Sequence, residues 1–321
     1  MALSEFDLID RYFKGLGARR DDVALGIGDD AALLECAPGE QLVACIDTLV
    51  EGVHFPADTA ARSVGHRALA VNLSDLAAMG ARPAWALLAL TCPRVDEAWL
   101  EGFAAGLGDL ARPHGVAVVG GDTTAGPLCV TVQALGFVPR GAALTRAGGR
   151  PGDALFVSGT PGDAAAGLAL EQGRLRAERE ADGALRRRFL YPTPRLELGQ
   201  RLRGFASACI DVSDGLLADC GKLAAASACG LIIDQEALPL SVALLAALEV
   251  GPAAALALTG GDDYELAFAV PQERVGALLA ACPPAVWGYR RIGRLCAEPG
   301  AVVQRDGVTI SVPGAGYDHF A

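Results

Sequence analysis

The sequence predicts two mixed α/β domains within a chain of 321 residues. The length favours two domains, because a single hydrophobic core stops growing at about 250–300 residues. Hydrophobic residues make up 52% of the chain and charged residues only 20%, so we expect large buried cores rather than a disordered chain. Apolar segments with strand spacing and with helix spacing alternate along the sequence, which is typical of α/β folds.

The first domain is predicted over residues 1–140. We expect strands at Gln41–Asp47, Ala84–Leu90, Val116–Val119 and Leu128–Val138, and helices at Ser63–Met79 and Val95–Arg112. The stretch Pro139–Gly152 is rich in Gly, Pro and Arg, which is the composition of a linker between domains. The second domain is therefore predicted over residues 141–321.

The second domain follows the same alternation of strands and helices. The segment Gly173–Arg188 is rich in Arg and Glu and is predicted to be a solvated helical segment. We expect strands at Ala154–Gly159, Ser207–Asp211, Leu231–Asp234 and Tyr264–Val270, helices at Asp163–Gln172, Leu216–Ser227 and Gln272–Ala281, and a hairpin at Gln304–Val312 around Asp306-Gly307.

Composition and charge restrict the classes of function. The net charge of −11 argues against nucleic-acid binding, which needs a basic surface. No apolar run reaches the roughly 18 residues of a membrane span. The first ten residues lack the basic start of a signal peptide, so we expect a cytoplasmic location. The nine cysteines form no C-x-x-C pair and are predicted to be small buried hydrophobes with reduced thiols.

Short acidic segments recur along both predicted domains. Asp47, Asp122 and Asp211 are each predicted at or just beyond the end of a strand, where α/β proteins build their sites. Any one such segment is equally typical of a turn or a helix cap, because Asp and Gly favour both. The segments are GIGDDAA (Gly26–Ala32), IDTLVEGVHF (Ile46–Phe55), NLSDLAAMG (Asn72–Gly80), GGDTT (Gly120–Thr124), DVSDGL (Asp211–Leu216) and GGDDYEL (Gly260–Leu266).

Taken together, the acidic segments indicate a metal site. Asp75 lies in an apolar predicted helix, where an unpaired carboxylate costs several kcal/mol. Only two lysines, Lys14 and Lys222, are available in the whole chain as ammonium partners. Carboxylates that converge to about 4 Å repel by ~4 kcal/mol at an effective dielectric near 20. A hard divalent cation relieves that repulsion, and Mg²⁺ is the usual one where phosphate shares the ion.

The sequence lacks the signatures of the common phosphate-binding and hydrolase sites. There is no G-x-x-x-x-G-K-[ST], no H-R-D with D-F-G, and no G-x-S-x-G. The segment GTPGDAAAG (Gly159–Gly167) is predicted to be a strand-to-helix turn, with phosphate binding there as a second interpretation. We therefore expect two or more metal ions to hold the phosphates, with Arg146 as a fixed cation.

In their order along the chain, these motifs resemble the thiamine-monophosphate kinase family. The resemblance runs from EFDLIDRYF (Glu5–Phe13) to GYDHFA (Gly316–Ala321) and includes LTRAG (Leu144–Gly148). Seven collinear motifs are far more specific than one. The family belongs to a superfamily with aminoimidazole ribonucleotide synthetase, so the resemblance implies two α/β domains of that type. It also implies a homodimer formed through the N-terminal domains, which would carry the metal and ATP site near the interface.

The resemblance implies that the γ-phosphoryl group of ATP passes to thiamine monophosphate. The products would be ADP and thiamine diphosphate, in the last step of thiamine diphosphate biosynthesis, with several Mg²⁺ ions as cofactors. Because the acceptor is already a phosphate anion, no general base is expected and the transfer is direct and in line.

The resemblance also assigns roles to individual residues. The metal ligands would be Asp29, Asp30, Ile46, Asp47, Asp75, Asp122, Asp211 and Asp214. The nucleotide would contact Gly121, Asp122, Arg146 and Ser213, and the thiamine moiety would contact His54, Asp262 and Tyr317.

The sequence departs from the family at two places. Cys45 and Ile46 stand where some members have Ser or Thr, so only backbone carbonyls are available to a metal there. Asp262 stands where many relatives have Glu and is shorter by one methylene. Two alternatives stay open: a sister ATP-dependent enzyme of the same superfamily, and a metal-binding regulatory or structural protein without catalysis.

Overall fold

The computed structural model of the protein describes residues 5–312. Tyr317 lies outside the described residues. The chain forms two compact units: the first runs up to Leu76 and includes Ala81–Gly141, and the second combines Ala77–Gly80 with the chain from Ala142 onward. Each unit contains helices and its own β-sheet, so the predicted mixed α/β fold class is confirmed.

The first unit is built on a four-stranded sheet. Its strand order is β3-β6-β4-β5, in which only β4 and β5 run parallel. A short pair, β1 and β2, forms a separate two-stranded sheet. The elements are α1 (Glu5–Leu8), which continues as a π-helical turn at Ile9–Phe13, β1 (Val23–Leu25), β2 (Leu33–Leu34), β3 (Glu40–Val50), α2 (Ala61–Ala78), β4 (Arg82–Cys92), α3 (Glu97–Ala111), β5 (Ala117–Ala125) and β6 (Cys129–Pro139).

The two faces of the four-stranded sheet have different environments. Val130 and Val132 are buried on one face, and Cys45 on that same face places its Sγ 3.3 Å from the carbonyl oxygen of Asn72 in α2. On the other face of β3, Leu42 and Ile46 are 49% and 62% exposed. The alternation arises because successive residues of a strand point to opposite faces.

Helices α2 and α3 approach each other through glycines. A Cβ atom on Gly65 would lie 2.1 Å from the carbonyl oxygen of Phe103, and one on Gly106 would lie 1.9 Å from that of Arg62. Side-chain atoms do not approach carbonyl oxygens so closely, so only glycine fits at both positions. The contact fixes α2, which carries Asp75, against α3.

The second unit is built on a seven-stranded sheet. The strand order is β13-β12-β9-β11-β7-β10-β8, and β9 and β12 are its parallel pair. The elements are β7 (Ala154–Ser158), α4 (Asp163–Glu171), α5 (Arg179–Leu190), α6 (Leu196–Leu202), β8 (Ala208–Val212), α7 (Leu216–Ala226), β9 (Gly230–Asp234), α8 (Val242–Ala247), α9 (Val250–Thr259), β10 (Glu265–Val270), α10 (Gln272–Ala281), α11 (Pro284–Trp287), β11 (Tyr289–Cys296), β12 (Gly300–Arg305) and β13 (Val308–Ile310), with a 3₁₀ turn at Gln235–Ala237.

Several elements of the second unit were not predicted from the sequence. Strand β11 lies in the middle of the sheet, between β9 and β7, yet it contains three arginines and a register shift between Arg291 and Gly293. A bulge breaks the alternation by which a strand is recognised. Helix α9 begins with Val-Gly-Pro and is apolar on most sides, so it lacks an amphipathic pattern. Helices α6, α8 and α11 were also missed.

The prediction for Gly173–Arg188 was wrong in two respects. Helix α5 begins only at Arg179, and it is not solvated all round, because Ala181, Leu185 and Phe189 are buried. The strong Arg and Glu content concealed this apolar stripe, which has helical spacing.

The cysteines mostly follow the prediction. All nine lie within the described residues and carry free thiols there. Burial raises the pKa of the Cys209 and Cys220 thiols far above the usual value, so both remain neutral. The exceptions are Cys36, which is exposed, and Cys45, Cys129 and Cys296, which are only partly buried. Over the described part of the chain, none of the helices has the combined length and apolar character of a membrane span.

We predict that Gly106→Ala lowers the free energy of unfolding by about 1–3 kcal/mol, because the added methyl group forces α2 and α3 apart. Urea unfolding followed by circular dichroism measures the change. Gly276→Ala in α10 is the matched control: apart from its own helix backbone and chain neighbours, nothing lies within 4 Å of the added Cβ. There the better helix propensity of Ala should stabilise the protein by up to about 1 kcal/mol. Equal effects of the two substitutions would contradict the close helix contact.

Candidate active site

In the first unit, Asp29 and Asp30 lie on an exposed turn after β1. Asp29 forms an isolated bridge with Ile27, and the backbone N–H of Asp30 donates to Oδ1 of Asp29 at 2.8 Å. Gly28, between the bridged residues, has a φ of +128°. The turn therefore presents two adjacent carboxylates at the surface of this unit.

Asp47 and Asp122 lie inside strands, so the prediction that they end strands was wrong. Strand β3 continues past Asp47 to Val50 and stays in register with β6 throughout. Strand β5 continues past Asp122 to Ala125 along β4. Pairing with a neighbouring strand outweighs the low strand propensity of Gly and Asp in these segments. Asp211, by contrast, is the penultimate residue of β8, as predicted.

The sheet places Asp47 and Asp122 at opposite edges and on opposite faces. Asp47 shares its register row with the buried Val132 and Leu88. Asp122 shares the next row with Ala89, Thr131 and Thr48, on the exposed face. Three strand spacings of about 4.8 Å separate the two edges by about 14 Å. The sheet alone therefore does not gather both carboxylates around one ion.

Asp75 lies in a helix, as predicted, near the C-terminal end of α2. It follows Asn72 by three residues, which is close to one helical turn. The Asn72 carbonyl accepts the thiol of Cys45, two residues before Asp47 on the same face of β3. Asp47 and Asp75 thus belong to the layer in which β3 faces α2.

Gly121 and His54 have well-defined local settings in the first unit. A Cβ atom on Gly121, whose φ is +149°, would lie 1.8 Å from the carbonyl oxygen of Leu88, so the position requires glycine. Nδ1 of His54 accepts the backbone N–H of Val50 at 3.0 Å. An accepting Nδ1 carries no hydrogen, so the neutral ring bears its proton on Nε2 and presents a donor there.

In the second unit, one buried carboxylate organises the DVSDGL segment. Oδ2 of Asp219 accepts the backbone N–H groups of Ser213 and Asp214, both at 2.9 Å. Nζ of Lys222 contacts Oδ2 of Asp214 at 2.5 Å and Oδ1 of Asp219 at 2.8 Å. Burial alone would lower the pKa of Lys222, but these two carboxylates raise it above its usual value, so the ammonium stays charged. Sequence reasoning missed Asp219, although its place in the first turn of α7 indicated a capping role.

The LTRAG segment runs alongside strand β8. The carbonyl oxygen of Thr145 accepts the N–H of Cys209 at 2.8 Å, and that of Arg146 accepts the hydroxyl of Ser227 at 2.9 Å. The Arg146 side chain is exposed. These bonds place the Arg146 backbone beside the first residues of β8 and the C-terminal end of α7, toward the opposite end of the strand from Asp211.

The GGDDYEL segment is joined to DVSDGL by backbone hydrogen bonds. The N–H of Asp262 donates to the carbonyl oxygen of Ser213, and the N–H of Tyr264 donates to that of Val212, both at 2.8 Å. The ladder continues as Glu265 pairs with Val212 and Leu266 with Asp211. The second unit thus brings together the predicted metal, nucleotide and substrate residues of DVSDGL and GGDDYEL.

Behind this assembly lies a buried charge cluster that sequence reasoning missed. The Glu265 side chain is fully buried. Its Oε1 accepts Arg188 at 2.6 Å and Arg195 at 2.5 Å, while its Oε2 accepts Nε of Arg195 and the hydroxyl of Ser158, both at 2.5 Å. Burial opposes the charge of Arg195, yet Glu265 raises its pKa above the usual value. A glutamate inside an apolar strand was the available signal, because buried charges are paired.

The GTPGDAAAG segment forms the predicted strand-to-helix turn between β7 and α4. The N–H groups of Gly162 and Ala164 donate to the Asp263 carboxylate at 2.8 and 3.3 Å. Burial raises the pKa of Asp263 well above its usual value. Since both amides already have an acceptor, the structure does not favour phosphate binding at this turn.

The donor chemistry of the predicted metal residues suits Mg²⁺, which prefers hard oxygen ligands. Within residues 5–312, however, no three His, Cys, Asp or Glu side chains are gathered as a ready-made metal site. Locally, Asp29 and Asp30 share one turn, Asp47 and Asp75 belong to the layer of β3 and α2, Asp122 lies on the exposed face of its sheet, and Asp211 and Asp214 belong to one segment.

The two units correspond to the two domains of a described protein class. Residues 28–138 match the N-terminal domain of AIR synthase related proteins, and residues 150–306 match their C-terminal domain. Structures of the hydrogenase maturation protein HypE share this fold at 22% sequence identity and a TM-score of 0.74. The fold and the acidic segments therefore define a protein of the AIR synthase related class.

Within that class the relatives are more specific. Thiamine-monophosphate kinase of Escherichia coli (strain K12) is 50% identical over 100% of this chain and 99% of its own. The crystal structure of the enzyme from Stenotrophomonas maltophilia K279a has 48% identity and a TM-score of 0.86, with 97% and 99% coverage. AaThiL complexed with AMPPCP and TMP has 34% identity and a TM-score of 0.77, with 100% and 99% coverage. The chain belongs to the thiamine-monophosphate kinase family.

We predict that Glu265→Gln lowers the free energy of unfolding by about 3–5 kcal/mol, because two arginines then lose their buried counter-charge. Chemical denaturation measures the loss. Glu171→Gln is the matched control, since Glu171 pairs with the part-exposed Arg186 at 2.8 Å. Its loss should cost no more than about 1 kcal/mol. If both variants lose the same small amount, Glu265 does not hold a charge cluster.

Proposed function

We propose that this protein transfers the γ-phosphoryl group of ATP to the phosphate of thiamine monophosphate. The products are ADP and thiamine diphosphate. The observation that carries this proposal is the 50% identity to a thiamine-monophosphate kinase over the full chain. The fold similarity to AaThiL, solved with an ATP analogue and TMP, supports the same substrates.

The residues present suit a transfer without a strong base. The acceptor is already an anion, so the protein must position two phosphates and neutralise their charge. We propose a direct in-line transfer in which Mg²⁺ ions, when bound, supply that neutralisation. Their ligands are Asp29, Asp30, Asp47, Asp75, Asp122, Asp211, Asp214 and the backbone of Ile46.

The proposed contacts to the two substrates are those that the family resemblance assigns. In this proposal Gly121, Asp122, Arg146 and Ser213 contact the nucleotide. Arg146 is exposed, which suits a side chain that pairs with phosphate. The thiamine moiety contacts His54, Asp262 and Tyr317. The Nε2 donor of His54 and the carboxylate of Asp262 suit an aminopyrimidine and a cationic thiazolium.

We also propose that the protein is a homodimer formed through residues 1–140. Strand β3 lies at the edge of its sheet, and its outer face carries the exposed Leu42, Ala44 and Ile46. An exposed apolar edge of this kind promotes association, and a second copy would cover it symmetrically. We place the enzyme in the cytoplasm, at the last step of thiamine diphosphate biosynthesis, with residues 141–321 as the C-terminal domain.

We predict that the purified protein with Mg·ATP converts thiamine monophosphate to the diphosphate and leaves free thiamine unchanged, because free thiamine lacks the acceptor phosphate. Chromatographic detection of the diphosphate and of ADP measures the reaction. Asp122→Asn should lower the rate by about 100-fold or more, the scale for removing one preorganised electrostatic group.

The matched control is Asp58→Asn, on an exposed turn of the same unit, which should keep the wild-type rate. Both variants should keep the wild-type melting temperature. Absence of turnover by the wild type, or turnover of an aminoimidazole precursor instead, would refute the proposed function. Full activity of Asp122→Asn would remove that residue from the site.

We predict that Leu42→Asp converts the dimer to a monomer, because a buried unpaired charge opposes association. Light scattering coupled to size exclusion measures the mass. Val286→Asp introduces the same charge at a residue that is 75% exposed in the second unit, and this variant should stay dimeric. A monomeric wild type would disprove the proposed dimer.

A further inference from the structure

The substrate segment GGDDYEL contains unusual backbone conformations. Asp262 has a φ of +69° and Tyr264 a φ of +51°, so two residues of one four-residue stretch are left-handed. Over residues 5–312 only two other non-glycine residues, Ala228 and Asp306, share this conformation. The left-handed region costs an L-residue with a large side chain more than it costs Asp. Such strain persists only where the surrounding structure enforces it.

The surroundings of the segment do enforce it. The N–H groups of Asp262 and Tyr264 are both held by the DVSDGL segment at 2.8 Å. The residue between them, Asp263, accepts the N–H groups of Gly162 and Ala164 through its carboxylate. Glu265, which follows Tyr264, is held by Arg188 and Arg195. The backbone of residues 262–265 is thereby fixed on every side.

One result of this conformation is a direct contact between the two side chains. The Tyr264 hydroxyl donates to Oδ1 of Asp262 at 3.1 Å. The Tyr264 ring is buried, whereas Asp262 is only partly buried. The hydroxyl therefore restricts the rotation of a carboxylate that is otherwise attached through a single methylene.

We propose that Tyr264 is a positioning residue, whose hydroxyl orients the Asp262 carboxylate toward the cationic heteroaromatic part of the acceptor. This inference rests on the proposed function, which places Asp262 at the thiamine moiety. An orienting hydroxyl lowers the entropy that the carboxylate loses when the acceptor binds. It acts on acceptor affinity and not on the nucleotide, because the Tyr264 side chain contacts Asp262 and the phosphoryl donor is held by other residues.

The test is Tyr264→Phe, which removes only the hydroxyl. We expect the KM for thiamine monophosphate to rise about 3–10-fold, the effect of one lost hydrogen bond. The KM for ATP and kcat should stay within about twofold of wild type. Tyr289→Phe is the matched control, because its buried hydroxyl donates to the Cys282 carbonyl at 2.5 Å; neither KM should change.

A double-mutant cycle tests whether Tyr264 acts through Asp262. The affinity of thiamine monophosphate is measured by calorimetry with AMPPCP present, so the cycle does not depend on turnover. In an Asp262→Ala background, Tyr264→Phe should cause no further loss of affinity. An equal loss in both backgrounds, an unchanged KM for thiamine monophosphate in the single variant, or a parallel rise in both KM values would overturn the inference. A wild type without activity toward thiamine monophosphate would instead refute the proposed function.

Discussion

The fully buried carboxylate of Glu265 is the interaction on which the second unit depends. Two guanidinium groups and one hydroxyl surround it, and they come from α5, from the start of α6 and from β7. A buried charge with incomplete partners would cost several kcal/mol, so displacing any one of these segments is unfavourable. Glu265 is also the first residue of β10, which directly follows the strained Asp262 and Tyr264.

Backbone hydrogen bonds connect the Glu265 cluster to the acidic segments of the candidate site. GGDDYEL is held to DVSDGL, and the LTRAG segment is held to the strand before DVSDGL. The Asp219 carboxylate holds the backbone N–H groups of Ser213 and Asp214, and Lys222 holds the Asp214 carboxylate. The proposed site residues of this unit are therefore supported by Asp219, Lys222 and Glu265, which contact no proposed substrate, as is usual for preorganised sites.

Much of the fold was predictable from periodicity, and the exceptions have physical causes. Strands such as β7, β8 and β9 are short apolar runs, and the prediction found them within one or two residues. Strand β11 was missed because a bulge and three arginines mask its alternation, although it lies in the middle of the sheet. Strand β5 was predicted four residues long, because the Gly and Asp that follow take strand geometry only through pairing with β4.

Part of the candidate site was likewise predictable from the sequence and part was not. The acidic motifs were visible in the sequence because each combines carboxylates with turn-forming glycines. Glu265 and its two arginines were not, since pairing over 70 or more residues leaves no local pattern. Asp219 was missed although its partners Ser213, Asp214 and Lys222 lie close to it in sequence. The sequence also did not predict which face of the sheet each aspartate occupies, because this depends on strand register. The register places Asp122 and Asp47 on opposite faces.

The contact between Asp263 and the start of helix α4 has a broader consequence. The first amides of a helix attract anions, and many nucleotide-binding proteins use them to hold phosphate. Here two of those amides receive an acceptor from the chain itself. In this protein of net charge −11, the positively polarised start of helix α4 is therefore already occupied by an internal carboxylate. The charge of a polyphosphate that approaches such a surface must be neutralised elsewhere, by cationic side chains or by counter-ions that it brings with it.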